Sequence, residues 1–455
     1  MRTKQQISGA LGLLGLVAVM TACEQESLSL TSPAGVDGIH TVTMSFTGGL
    51  LDYEDVSTKA ADLWQEGDRL YITFEAGGVL TPGKAVYQGG SWKMTYEGEI
   101  AVGTGMACRV RYFTGVESET IGQVSLDATS GVYEDLAGEY SYEGGVLNVN
   151  ASLRPKFGRI RLKGTPGEAC LLSGIETIGG FSAASEKYST GAKVLTLTVG
   201  EDGYTPYVYG GFAGEEKAIG YIGKEVAYTR YFNEDVLAAG RSGYMACPTL
   251  DAHNNWRTGL YVTVEDVTFR MIGVTGHAGG YYLIGETELT NALYYRVKQD
   301  VAATRAQYPY NVSYDDAMDY LSRLNDQTGF TFSLPSYDQW LYAAKGGAYS
   351  LGRAYAGSDV ALDVAWYNVN SGGAVKEVML KSPNELGLYD MCGNYMEWTS
   401  TLGDESYAGS YRRAGGSYKD DLEGIKVNAY TFSKYQYTYY LPEATGMRLC
   451  LNVNL

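Results

Sequence analysis

Short runs of strictly alternating apolar and polar residues fill the first half of the chain: His40–Phe46 (HTVTMSF), Arg69–Glu75 (RLYITFE) and Ala107–Phe113 (ACRVRYF). A period of two predicts half-buried β-strands. Arg159–Leu162, Val194–Val199 and Leu260–Val264 continue the pattern between Gly-rich turns, which predicts a second β-rich unit. The periodicity then changes. Ala317, Tyr320, Leu321 and Leu324 share one helical face, with Ser313 as N-cap and Asp316 at N3. Ser336 and Gln339 form a capping-box pair after Pro335, in a helix that stops at Gly346-Gly347, and Thr290 caps a further helix through Val297. The expectation is a mainly β N-terminal region of β-sandwich domains followed by an α+β C-terminal domain. The boundaries read as 1–22 leader, 23–37 tether, 38–153 first β domain, 154–265 second β-sandwich and 266–455 C-terminal domain.

Composition narrows the function classes. With 35 Lys and Arg against 52 Asp and Glu the formal charge is −17, and a chain this acidic has no electrostatic reason to bind phosphate backbones. Nucleic acid is excluded as an expected partner. Arg2 and Lys4, then the short apolar run Gly9–Ala22 ending at Cys23, read as a lipoprotein leader with Cys23 the lipidated residue. Glu24 and Glu26 resemble the export signal of surface lipoproteins in Bacteroidetes. The predicted site of action is therefore the surface of the outer membrane, with the lipid as the only membrane contact. Five further cysteines, Cys108, Cys170, Cys247, Cys392 and Cys450, are widely spaced and include no C-x-x-C; one pair could bridge, and spacing leaves the choice open.

Catalytic equipment is sparse. His40, His253 and His277 are too scattered for a metal cluster, no G-x-S-x-G occurs, and neither Gly83-Lys84 nor Gly223-Lys224 continues as a phosphate-binding loop.

The most specific stretch is Ser382–Trp398 (SPNELGLYDMCGNYMEW), which resembles the signature of the formylglycine-generating enzyme, or sulfatase-modifying factor, family. Phe269–Ile272 (FRMI), Ile284–Thr290 (IGETELT), Tyr308–Leu324, Leu334–Gly347, Arg413–Tyr418 (RAGGSY) and Gly446–Arg448 (GMR) follow the family's order. The resemblance implies a variant of the C-type lectin fold. It also implies an oxidase acting on protein cysteine through two thiols just after the G-G-S-Y element, but Asp420 and Ile425 stand at those places. The oxidase is thus the disfavoured alternative, and no cofactor is required. Calcium is the ion the resemblance invites: Asp390, Gly393, Tyr395 and Glu397 match a family calcium set, and hard oxygen ligands suit that ion. The alternative is that Asp390 and Glu397 satisfy local backbone amides. A second family calcium site has Val364 in place of its Asn.

Two other features point to adhesion. Ser57–Asp68, a polar run leading into W-x-x-G-D, resembles the N-terminal domain of Bacteroidetes fimbrillins, in which cleavage, here after Lys59, frees a groove for donor-strand exchange with pilus subunits. Asn428–Tyr440 places Tyr430, Tyr435, Tyr437, Tyr439 and Tyr440 in the region replacing the family's catalytic segment. Tyr with Ser and Asn gives contact area at low entropic cost, although alternating Tyr is also ordinary strand composition. The predicted function is a non-catalytic adhesion or ligand-binding lipoprotein, free or as a minor or tip component of a fimbria. Its partner would be a host or bacterial surface protein or glycan, and the remaining alternative is a structural pilus subunit.

Overall fold

The structure, a computed structural model, describes residues 39–51, 53, 64–248, 250, 256–300, 304–403, 409–433 and 443–455. The leader, the tether, Cys23, Lys59, His253, Tyr435, Tyr437, Tyr439 and Tyr440 lie outside the described residues.

Seven strands, Ile39–Leu50, Arg69–Ala76, Val79–Gln88, Ser91–Glu97, Met106–Phe113, Val132–Glu143 and Val146–Pro155, close into a barrel. The mainly β region is thus present, but its first unit closes on itself where two open sheets were expected. Closure comes from the first strand, which pairs antiparallel with Ser91–Glu97 and parallel with Val146–Pro155. That parallel approach is close: a Cβ at Gly48 would sit 1.8 Å from the Ala151 carbonyl oxygen, so only Gly fits there. Leu70, Ile72, Phe74, Met94, Val110, Leu147 and Val149 fill the interior. The W-x-x-G-D motif seals one end. Trp64 packs edge-on against Trp92 at 5.2 Å, while Asp68 accepts from Gln65 N at 2.7 Å.

The second unit holds two facing sheets. One contains Ile175–Glu176, Val208–Phe212, Gly158–Lys163 and Ser242–Ala246; the other contains Val194–Thr198, Ala169–Ser173, Ala218–Gly223, Val226–Tyr231 and Trp256–Thr258. A third sheet joins this unit to the barrel, because the excursion Val116–Glu119 and Gln123–Leu126 pairs with Ile178–Ser182 and Lys187–Thr190. Arg111 clamps the junction. Its guanidinium, only 3% exposed, bonds Glu186 at 2.5 Å and Tyr188 Oη at 3.1 Å, and stacks over Phe181.

In the C-terminal domain a five-stranded sheet runs Leu260–Val264, Val267–Val274, Tyr282–Gly285, Cys450–Asn452, Phe332–Ser333, and a four-stranded sheet runs Tyr430–Ser433, Tyr411–Ala414, Met396–Leu402, Thr445–Met447. Leu260–Val264, expected in the second sandwich, is hydrogen-bonded to Val267–Val274 instead. The tight turn at Glu265, with φ of 54°, makes the two strands one hairpin. The strand still shares an apolar cluster with Ile222 and Ala227 of the second unit, so the core is continuous across the boundary.

Three helices of eight residues or more pack on these sheets: α1 (Asn291–Lys298), α2 (Tyr314–Thr328) and α3 (Tyr337–Ala344). Thr290, Ser313 and Ser336 cap them as the sequence predicts, the last in a reciprocal capping box with Gln339. The α2 stripe Ala317, Tyr320, Leu321 and Leu324 is fully buried, and truncating Leu324 to Ala would cost roughly 2–5 kcal/mol. Lys193 of the second unit donates to the last α2 carbonyls, Gln327 O at 2.7 Å and Asp326 O at 3.1 Å, where the helix dipole favours a cation. Among the described residues no helix is long and apolar enough to cross a membrane.

Candidate functional site

The segment after Arg413–Tyr418 is where the resembled oxidases carry their thiols. Its backbone reverses at Gly415 and Gly416, with φ of 88° and 65°, and a Cβ on Gly416 would lie 2.2 Å from the Gly424 carbonyl oxygen. Asp420 Oδ2 accepts from Ser417 N at 2.7 Å and from Ser417 Oγ at 2.8 Å, so this carboxylate ties the turn together. Ile425 is fully buried in a cluster with Trp340, Leu388 and Met391. One thiol position is therefore a loop clasp and the other a core side chain. Cys392 and Cys450 are buried in the same cluster, and burial pushes both thiols up to about 12, which suppresses the reactive thiolate.

The four residues matched to a calcium set do converge on one loop, but with other duties. Glu397, 1% exposed, accepts from Arg448 Nε at 3.1 Å on each oxygen, from Arg448 Nη2 at 2.7 Å on Oε1, and from Trp340 Nε1 at 2.6 Å on Oε2. Gly393, at φ of 75°, lets the chain pass Trp366, whose carbonyl oxygen would lie 2.2 Å from a Cβ there. Tyr395 N donates to Glu288 Oε1 at 2.9 Å. Asp390 accepts from Met379 N at 2.8 Å through Oδ2, while its buried Oδ1 has no partner. Among the described residues no group of three or more His, Cys, Asp or Glu is arranged to hold a metal. The donor set does not fit calcium, because the Arg448 guanidinium already takes Glu397 and also donates to Tyr389 O at 2.8 Å and Gly285 O at 2.9 Å. A cation is present in this site, and it is a side chain.

Sequence reasoning assigned no role to Glu288 or Arg448. Glu288 accepts from Asn394 Nδ2 at 2.7 Å as well as from Tyr395 N, so it straps the G-N-Y turn to the start of α1. For Arg448 the available signal was a charge inside the apolar run Met447–Leu451; for Glu288, one of two acids in the polar stretch Ile284–Leu289, there was no such signal. Burial, then the charges of Asp390 and Glu397, raise the Glu288 carboxyl well above the usual range. Burial raises Asp390 to about 6, against the pull of the Met379 amide and Arg448.

Of the predicted tyrosine face, Tyr430 is described. It is 47% exposed on the edge strand of the four-stranded sheet, opposite Ala414. The Arg412 guanidinium lies 4.4 Å from the Tyr430 ring and 4.5 Å from the Tyr337 ring, and Tyr337 Oη donates to Asn428 O at 3.1 Å. The two rings meet edge-on at 5.3 Å, so an aromatic pair covered by one guanidinium stands where the Tyr-rich run begins. The other histidines are structural: His40 stacks on Tyr96 and His277 lies against Tyr282 and Tyr342.

Residues 250–453 match the sulfatase-modifying factor enzyme 1-like domain, and the C-terminal domain is of that type. A chaperone protein named LppX, from Paenibacillus barcinonensis, is 33% identical over 107 residues, covering 20% of this chain and 38% of the relative. The chain thus spans little more than a third of that relative's length. Among solved structures, the Treponema denticola variable protein 1 is 22% identical with a TM-score of 0.37, covering 42% of this chain and 98% of its own. A fimbrial protein from Bacteroides ovatus is 10% identical with a TM-score of 0.23, covering 92% of this chain and 100% of its own.

Proposed function

We propose that this chain is a non-catalytic surface lipoprotein for adhesion or ligand binding, with the C-terminal lectin-like domain as its binding module. One observation carries the reading: Asp420 and Ile425, at the places of the oxidase thiols, serve as a loop clasp and a core residue. A fold carries no chemistry by itself, so a scaffold whose reactive positions have become structural is free to serve recognition. The Tyr-rich segment beginning at Tyr430, with Arg412 packed against the Tyr337 and Tyr430 rings, is the composition that binding hot spots use. Its partner is a surface protein or glycan.

The test is direct. Purified protein incubated with copper and a cysteine-containing sulfatase peptide yields no formylglycine; aldehyde above a no-protein control would overturn the reading.

A fimbrial role is the second reading, motivated by the first strand. Ile39–Leu50 lies between Ser91–Glu97 and Val146–Pro155, so its loss by cleavage after Lys59 would open two strand edges to a donor strand. The chain would then be a minor or tip component, since a bulky terminal domain obstructs stacking.

A further inference from the structure

The outer face of one sheet of the second unit carries a row of cations that the adhesion reading does not use. Along Gly158–Lys163 the side chains alternate. Ile160 and Leu162 are buried inside the sandwich, so Arg159, Arg161 and Lys163 stand on the opposite face, roughly 7 Å apart along the strand. The register adds rings to that same face: Tyr209 lies opposite Arg159, Tyr244 opposite Arg161 and Tyr204 opposite Lys163. Directly paired residues share a face of the pleat, so Arg161, Lys163, Tyr204 and Tyr244 are offered together to one ligand.

One end of the row is closed and the other is open. Arg159, 9% exposed, donates to Ser242 Oγ at 2.9 Å and lies 4.1 Å from the Tyr53 ring and 4.2 Å from the Tyr207 ring; Tyr53 in turn packs on Tyr133 of the barrel. This cation belongs to the junction. Arg161 lies 4.7 Å from the Tyr207 ring and 4.0 Å from the Tyr204 ring, and Tyr244, 61% exposed, meets Tyr204 edge-on at 5.7 Å. Rings that already hold a guanidinium leave few rotors to be fixed on binding. Arg161 Nε has no partner, and Asp202, at 3.7 Å from Arg161 and itself 65% exposed, competes weakly because exposed ion pairs are weak. Lys163 is exposed and carries no ion pair among the described residues.

We infer that this face docks an acidic polysaccharide, its carboxylates or sulfates taken by Arg161 and Lys163 and a sugar ring laid against Tyr244. A glycan is favoured over a protein because the outward positions of Gly158–Lys163 and Ser242–Ala246 are Arg159, Arg161, Lys163, Ser242, Tyr244 and Ala246. No large aliphatic side chain is among them, so the face lacks the apolar core on which protein interfaces close. A tyrosine ring suits the C–H face of a pyranose, and its hydroxyl suits the sugar's own. The net charge of −17 opposes a polyanion at long range, but screening cuts in within about 8 Å at physiological ionic strength, so a docked chain feels the row beneath it.

Calorimetric titration of the purified chain, at low and at high salt, tests this with polygalacturonate and heparin as acidic polysaccharides, dextran as a neutral one and polyglutamate as an acidic polypeptide. The expected result is saturable binding of at least one acidic polysaccharide that weakens with salt and is at least about ten-fold tighter than binding of dextran or polyglutamate. Arg161→Gln and Lys163→Gln should each weaken it about five-fold or more and flatten its salt dependence. Tyr244→Ala should weaken it about ten-fold with the salt dependence kept. Lys163 and Tyr244 are exposed, so their variants should melt with the unaltered protein. Absence of saturable binding by both acidic polysaccharides, or dextran binding as tightly, would overturn the inference. So would polyglutamate binding as tightly, which would make the face a general anion or protein site. Unchanged affinity in both Lys163→Gln and Tyr244→Ala would place the glycan on another domain and overturn it equally.

Discussion

Replacing Arg448 by Met keeps most of the side-chain volume and removes the one cation among three buried carboxylates. Arg448 is fully buried and donates to both Glu397 oxygens, to Gly285 O and to Tyr389 O. Taking one partner from a buried pair costs about 3–5 kcal/mol, and a domain of this size loses roughly 2–4 °C of melting temperature per kcal/mol. A fall of roughly 10 °C or more in the C-terminal transition is expected at pH 7.5. The pH dependence has a definite sign. Arg448 holds Asp390 and Glu288 down, so without it both rise further above their unfolded values. The folded variant then binds more protons than the unfolded chain, and its stability recovers as pH falls through about 6, the value Asp390 already reaches. Calorimetric melts of both proteins at pH 7.5 and 5.5 should show a smaller deficit at the lower pH. A cost below about 1 kcal/mol, a deficit equal at both pH values, or rescue of the variant by millimolar calcium would refute the assignment of Arg448 as the cation of this site.

Chelation follows from the same geometry: because Arg448 occupies Glu397, excess EDTA should leave the melting temperature of the unaltered protein unchanged, and a drop of several degrees would restore the calcium reading. At the barrel junction, Arg111→Met should destabilise by about 3 kcal/mol and flatten the acid limb of the stability curve. Burial pushes Glu186 up, but its hydrogen bonds to Arg111 and Thr73 outweigh that and hold it below its usual range, so its stabilisation is present above the unfolded carboxylate value and is lost as pH falls through the folded one. Mass spectrometry of surface-extracted protein should find an N-terminus near Ala60; chains beginning at Cys23 alone would remove the support for a fimbrial role. A Tyr435, Tyr437 and Tyr439 triple Ala variant should stay folded and lose partner binding, with a central tyrosine worth roughly 2 kcal/mol or more; unchanged binding would move recognition to another loop.

What could be read from the chain was mostly local. The caps Thr290, Ser313 and Ser336 act within one helical turn, and alternation marks a strand wherever one face is buried. What could not be read was long-range register. Gln123–Leu126 pairs with Ile178–Ser182, and nothing in either segment specifies the other. Leu260–Val264 alternates correctly, yet alternation says nothing of which sheet it joins, and the Glu265 turn decided it. The charge cluster was hidden for the same reason: Glu397 meets Arg448 across 51 residues and Asn394 meets Glu288 across 106.

This separation bears on how the sulfatase-modifying motif is to be interpreted. The motif residues retained here are the ones that cross-link the loops. Glu288 straps the turn at Asn394, Glu397 and Arg448 join Trp340 to Tyr389, and Gly393 and Gly416 allow backbone passages that a Cβ would block. Asp420 and Ile425, by contrast, stand where the resembled oxidases carry the thiols that act on a substrate. A buried carboxylate with an orphaned oxygen, such as Asp390, costs stability unless it is neutralised or paired, so the cluster is held by its neighbours as a unit. Losing Glu397 would strand Arg448, and losing Arg448 would strand Glu397. The thiol positions carry no such coupling. A clasp at Asp420 and a methyl-filled core at Ile425 are local solutions that leave every loop in place. In this chain the signature residues therefore hold the scaffold, and reactivity has to be read from the few positions that the scaffold does not need.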